Sequence, residues 1–148
     1  MFSGESIITM ANGTFKPITS ILKGDMILNK FKVPTKVLKI EVYENESCVR
    51  MQLNNGTTSF NISTGTILFC YYRTQASTLV SKYCAISTIH ENNGHLKSDL
   101  KIFSPDSDVD IDTYENAEPT TLYELHTSDN SQSYLVNKVI VSNIPSHY

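Results

Sequence analysis

Residues 1–28 read MFSGESIITMANGTFKPITSILKGDMIL, and the order of signals within them decides the fold. Two short apolar runs, 7–10 and 15–18, flank Ala11-Asn12-Gly13-Thr14. Asn-Gly between apolar runs predicts a hairpin, because both residues accept positive φ. Pro17 has no N–H to give a ladder, so the second arm is expected to be short or at an edge. Residues 19–24 then read as a turn or one helical turn, and Met26–Leu28 as a strand.

Working outward, the same grammar continues. Residues 37–43 alternate, with Val37, Lys39, Glu41 and Tyr43 on one face and Leu38, Ile40 and Val42 on the other. Val49, Met51 and Leu53 alternate again, and Asn54-Asn55-Gly56 turns the chain into 57–63, with Phe60 and Ile62 facing inward. Residues 67–72 and 78–89 are further strand candidates, and 121–125 and 134–141 are the last two. Between them, 104–119 carries alternating acids: Asp106, Asp108, Asp110, Asp112, Glu115 and Glu118. A calcium loop of the EF-hand type needs Gly at its sixth position, which is missing, so this stretch reads as a solvated surface loop. No helix longer than two turns, no tandem repeat and no interdomain linker is visible. The expectation is one all-β domain spanning 1–148, of a size that buries its own core.

Composition narrows the function. Hydrophobic residues make up 40% and charged ones 18%, which are globular values, and the net charge is −3. Lys and Arg form no dense run, which argues against a nucleic-acid surface. No apolar stretch approaches the ~18 residues of a membrane span. The first residues lack the basic start of a signal peptide. Three cysteines, Cys48, Cys70 and Cys84, show no C-x-x-C spacing and fit reduced thiols, hence cytoplasm or another reducing compartment. Cys70 and Cys84 lie inside apolar runs and read as buried, inert thiols rather than relocated nucleophiles, whereas Cys48 opens a strand and has room to be exposed. His90 and His95 bracket a turn with no third ligand nearby, so neither a metal nor a cofactor is expected. The N-x-S/T sequons at Asn12, Asn45, Asn55 and Asn61 read as chance in so Asn-, Ser- and Thr-rich a chain.

Two separated blocks carry a family resemblance. The opening block resembles that of Hint domains, the fold of inteins and hedgehog autoprocessing domains: Phe2, Gly4, Asn12-Gly13, Lys16, Ile18, Ile21 and Gly24-Asp25 stand where that family has them. The closing block, within 121–143, contains LYELHTSDNSQSYLVNKVIVSN, where Tyr123, Glu124, Tyr134, Asn137, Val139, Val141 and Asn143 fit. The wording of both ends leans toward the von Willebrand-associated subgroup (Vint), with 144–148 a short tail and His147 in the place of a final histidine. The resemblance implies an all-β horseshoe of bent antiparallel strands and hairpins, with its N- and C-termini adjacent.

It also implies a chemistry, and most of the parts are replaced. Hint domains open on Cys or Ser, whose thiol or hydroxyl attacks the carbonyl just upstream; the partner is thus the flanking polypeptide in cis. Met1 stands there, and a thioether has no proton to transfer and forms no stable acyl adduct. The family's Thr-x-x-His block, whose imidazole protonates the leaving nitrogen, is matched by Ser63-Thr64-Gly65-Thr66, which puts Thr66 in the histidine's place. A threonine hydroxyl can hydrogen-bond an amide but cannot protonate it near neutral pH. The acidic residue of the closing block is Glu124, and its two histidines are replaced by Gln132 and Ser142. Asn143 keeps the place of the asparagine that cyclises and cuts the chain, but Ile144 after it is β-branched and offers no nucleophile. Lys138 replaces the Gly of the last turn, so that turn is expected to be of another type or mildly strained. His126, two residues beyond Glu124, is the histidine in reach of a displaced acid role. Thus the resemblance implies a self-processing domain whose catalytic set is degenerate, a non-splicing structural or interaction module. The alternatives are an active domain whose first-position cysteine has been replaced, and an unrelated all-β ligand-binding domain. With Thr66 in the acid's place, a cysteine restored at position 1 is expected to give little cleavage by itself.

Overall fold

The Asn12-Gly13 turn joins two short antiparallel strands, β1 (Ile7–Thr9) and β2 (Phe15–Pro17), with Gly13 at φ 84°. A single 3-10 turn over Ile18–Ser20 follows, buried through Ile18, and leads to β3 (Met26–Leu28). This is a computed structural model, and it describes residues 1–73, 79–85, 101–103 and 108–142.

The next element departs from the sequence reading. Where two strands are expected, one 20-residue strand, β4 (Pro34–Leu53), runs unbroken. The polar Glu44–Ser47 step does not end it: Asn45 takes a positive φ of 56° and the register shifts opposite it, so a bulge absorbs the step. The partner that makes this possible is β10 (Ile111–Thr127), antiparallel to β4 from Ile111↔Leu53 to Thr127↔Val37. The expected acidic loop is therefore corrected from residue 111 onward and also at Asp108–Val109, which is a short strand; residues 104–107 lie outside the described residues. Its acids sit on a twisted ribbon whose polar side chains reach water without leaving the ladder: Asp112, Glu115 and Glu118 are all exposed. Pro119, which cannot donate, falls in the register shift between Ala117 and Thr120.

The remaining strands are β5 (Phe60–Ser63), β6 (Ile67–Arg73), β7 (Leu79–Ala85), β8 (Lys101–Phe103), β9 (Asp108–Val109), β11 (Ser133–Val136) and β12 (Val139–Ser142). Every described strand pair is antiparallel. One sheet runs β2-β1-β11-β12-β6-β8-β9 with β7 on β6, and the other runs β10-β4-β3 with β5 on β4. Residues 134–141, expected as one strand, are instead two arms of a hairpin. Its turn places Asn137 and Lys138 at φ 47° and 67°, so Lys138 does occupy the left-handed region, at a cost of ~1 kcal/mol.

The core between the sheets contains Phe2, Ile8, Ile27, Met51, Phe60, Ile62, Leu125 and Tyr134, all essentially inaccessible to water. Cys48 belongs with them. It is 5% exposed, its thiol donates to the Glu118 carbonyl at 3.4 Å, and burial pushes its pKa up, so this thiol is buried and inert. Cys70 and Cys84 lie on β6 and β7 with their side chains outside the described residues, as do His90 and His95 entirely.

Candidate functional site

Residues 1–3 thread between β5 and β10. Phe2 N–H donates to the Tyr123 carbonyl at 2.9 Å and Tyr123 N–H returns the bond at 2.8 Å, while Ser3 N–H reaches the Asn61 carbonyl at 2.9 Å. The Phe2 ring, 1% exposed, meets Tyr134 edge to face with centroids 6.1 Å apart. An aromatic at position 2 thus pins residue 1 in the middle of the fold.

The Met1 nitrogen is held there by two acceptors. It donates to Thr66 Oγ1 at 2.9 Å and to Glu124 Oε2 at 2.9 Å. The Met1 carbonyl accepts from Ser63 N–H at 3.0 Å, so both sides of the residue are fixed. Burial holds the α-amino pKa below its ordinary value, against the pull of the neighbouring Glu124 carboxylate. Thr66 closes the Ser63–Thr66 turn, its N–H on the Ser63 carbonyl at 3.1 Å and its hydroxyl 2.5 Å from Ser63 Oγ. Glu124 is fixed from behind by the Tyr134 hydroxyl, which donates to Oε1 at 2.6 Å. Burial, reinforced by that carboxylate, puts the Tyr134 phenol well above the usual range.

These groups open on one cavity of about 630 Å³, bordered by Met1, Thr66, Glu124, His126, Ser142 and Tyr43 among others. Ser142 arrives on β12, paired with Ser133 and Ile67. The strands therefore bring together five of the residues singled out in the sequence: Met1, Thr66, Glu124, His126 and Ser142. Gln132 is not among those lining the cavity. Its side-chain amide donates to the Thr127 and Asp129 carbonyls at 2.6 and 2.8 Å, and its φ is 47°. Five-residue proximity in sequence gives that amide a nearer task, closing the turn between β10 and β11. Asn143 and His147 lie outside the described residues.

Two residues that sequence reasoning left out of the site belong beside it: Tyr43 lines the cavity, and Glu41 contacts His126 from outside the lining. Glu41 stands directly opposite Glu124 in the β4–β10 register, and its carboxylate meets His126 Nε2. Tyr43 donates to the same carboxylate at 2.5 Å, and Lys39 Nζ is 3.6 Å away. The Tyr43 bond, helped by His126 and Lys39, holds the Glu41 carboxyl below its ordinary pKa although burial opposes this. The same bond raises the Tyr43 phenol. The signal was present, since Lys39, Glu41 and Tyr43 alternate onto one face; what was missing was the partner strand. Among the described residues no group of three or more His, Cys, Asp or Glu could hold a metal ion.

No family model matches this sequence, and no curated protein matches it. Solved structures do match it. The gp41-1 intein is 18% identical with a TM-score of 0.67, over 96% of this chain and 97% of that one. The bacterial intein-like domain from Clostridium thermocellum is 16% identical with a TM-score of 0.70, over 96% of this chain and 97% of that one. A DnaB intein from Synechocystis is 14% identical with a TM-score of 0.71, over 95% and 96%. At these identities the likeness shows the fold: the chain has the all-β fold of inteins along nearly its whole length.

Proposed function

We propose that this domain is a Hint-type self-processing module that no longer cleaves or splices and serves as a structural or interaction module. The observation that carries the reading is the seat of Met1. Its nitrogen, which in the Hint-type reading would belong to the scissile amide, is held by Thr66 Oγ1 and Glu124 Oε2 at 2.9 Å each. The side chain beside that nitrogen is a thioether, which cannot attack a carbonyl and leave a stable acyl group behind. One of the two groups that hold it is a hydroxyl, which accepts a hydrogen bond but supplies no proton at neutral pH. The wording of the two end blocks favours the Vint subgroup.

The test is an intact mass. The natural sequence, expressed behind a short upstream segment, is incubated with and without dithiothreitol across neutral pH. One uncleaved species is the expected result; release of the upstream segment at the Met1 junction overturns the proposal.

A further inference from the structure

We propose that His126, held by Glu41, is the acid–base group of this cavity, acting from β10 where Thr66 in the loop before β6 has no proton to give. The inference rests on the Hint-type reading above and extends it. Four observations support it. His126 and Met1 border the same cavity. His126 lies two residues from Glu124 on the same strand, hence on the same face and about 6–7 Å along it. Since Glu124 Oε2 is 2.9 Å from the Met1 nitrogen, an imidazole one step along is in range of that nitrogen through a side-chain rotation or one bridging water.

The third observation concerns orientation. A useful acid–base imidazole has one nitrogen fixed by a partner and the other edge open to the reacting atoms. His126 Nε2 is in close contact with the Glu41 carboxylate and shut off from solvent, although the pair is off the line of a hydrogen bond, and the ring as a whole is 36% exposed. The open part of the ring is therefore its other edge. Fourth, the fixing group is itself fixed: Glu41 takes the Tyr43 hydroxyl on one oxygen and has Lys39 beside the other. That is the order of parts of a catalytic relay, in which an acid–base group is aimed by a third residue. Glu41 acts here as a positioning residue.

To use this group, position 1 needs a nucleophile. In a Met1→Cys variant behind an upstream segment, the new thiol sulfur bonds to the upstream carbonyl carbon. The carbon–nitrogen bond to residue 1 breaks as His126 gives a proton to the leaving nitrogen, and the thiol proton restores the imidazolium. Dithiothreitol then exchanges with the thioester, releases the upstream segment and leaves the thiol free. The sequence alone leaves such a variant without an acid; the cavity wall supplies one.

The experiment follows upstream-segment release by intact mass, with dithiothreitol, between pH 5 and 9. Met1→Cys is expected to cleave, and adding His126→Gln is expected to slow release about 10²–10⁴-fold, the usual contribution of a positioned acid. With His126→Ala instead, added imidazole should restore release, a rescue that a merely structural histidine would not show. Adding Glu41→Gln should slow release without abolishing it, and Glu41→Asp should restore part of it, because the ring loses and then regains the carboxylate beside it. Glu124, Glu46, Lys39, Tyr43 and the residue 1 nitrogen also face this region and are unchanged in that comparison. No cleavage by Met1→Cys, or equal rates with and without His126, overturns the inference. Cleavage of the natural Met1 sequence would instead overturn the non-cleaving reading, so the two failures are distinct.

Discussion

Met1 and Thr66 are joined by a 2.9 Å hydrogen bond across 65 residues of sequence. A side chain at position 66 is therefore as close to the residue 1 nitrogen as a proton donor needs to be. In a Met1→Cys, His126→Gln background with an upstream segment, Thr66→His should restore release by about 10²-fold or more. Mass spectrometry of the released segment reads this directly, and an unchanged rate would show that position 66 does not serve the leaving nitrogen.

Phe2 does more than fill space. It bridges to Tyr123 and Ile62 through the backbone and to Tyr134 through its ring. Phe2→Ala should cost about 3–5 kcal/mol, the usual range for emptying a buried aromatic site. Urea unfolding checks this, and a loss below about 1 kcal/mol would mean that residue 1 is anchored by other means.

Asp129 gives a pH prediction with a definite sign. Burial would raise its pKa, but donors from Ser131, Asn29, Thr127 and Thr35 outweigh it and bring the value down to about 2 from 3.8. Since the folded-state value is the lower one, its contribution is fully present above about pH 4 and is lost as the pH falls toward 2. Asp129→Asn should be less stable at pH 7 by about 1–3 kcal/mol. The gap between its unfolding curve and that of the natural sequence should close between pH 4 and 2, and a constant gap would refute the assignment.

Asn137 is the polar clasp of the fold. Fully buried, it accepts from Ile7 N–H at 2.9 Å and donates to the Thr58 carbonyl at 3.1 Å. Asn137→Ala should destabilise by about 1–3 kcal/mol for each group left unpaired. It should also remove a residue suited to φ 47°. Asn137→Asp keeps the acceptor but buries a carboxylate against the Thr58 carbonyl, so it should melt no higher than Asn137→Ala.

The sequence made the ends of the molecule legible and hid its middle. Asn12-Gly13 and the apolar runs beside it announce β1 and β2 because turn chemistry is local. The long β4–β10 ribbon was not readable, since Glu44–Ser47 and the acids after 111 look like loops until each is seen opposite the other. Thr66 was placed beside Met1 by the resemblance, which puts it in the histidine's position of the family's Thr-x-x-His block. Gln132 could not be excluded from the cavity in that way, because its choice between the cavity and the carbonyls of Thr127 and Asp129 is made by the geometry of one turn. Glu41 and Tyr43 stayed hidden for a related reason: a strand face shows its meaning only when its neighbour is known.

The Asn137 clasp has a consequence in time. Its bond to Ile7 closes a span of 130 residues, and the cavity wall needs Glu124 and Ser142 from the same late stretch of chain. Pairings that distant are late events in folding, because a long loop must close before they return any energy. During synthesis, at about 5–20 residues per second, the first strand would wait several seconds for its partner to be made. Whatever the site does, to itself or to another molecule, it cannot begin on a partly made chain: the topology works as a delay line between translation of residue 1 and assembly of the pocket around it.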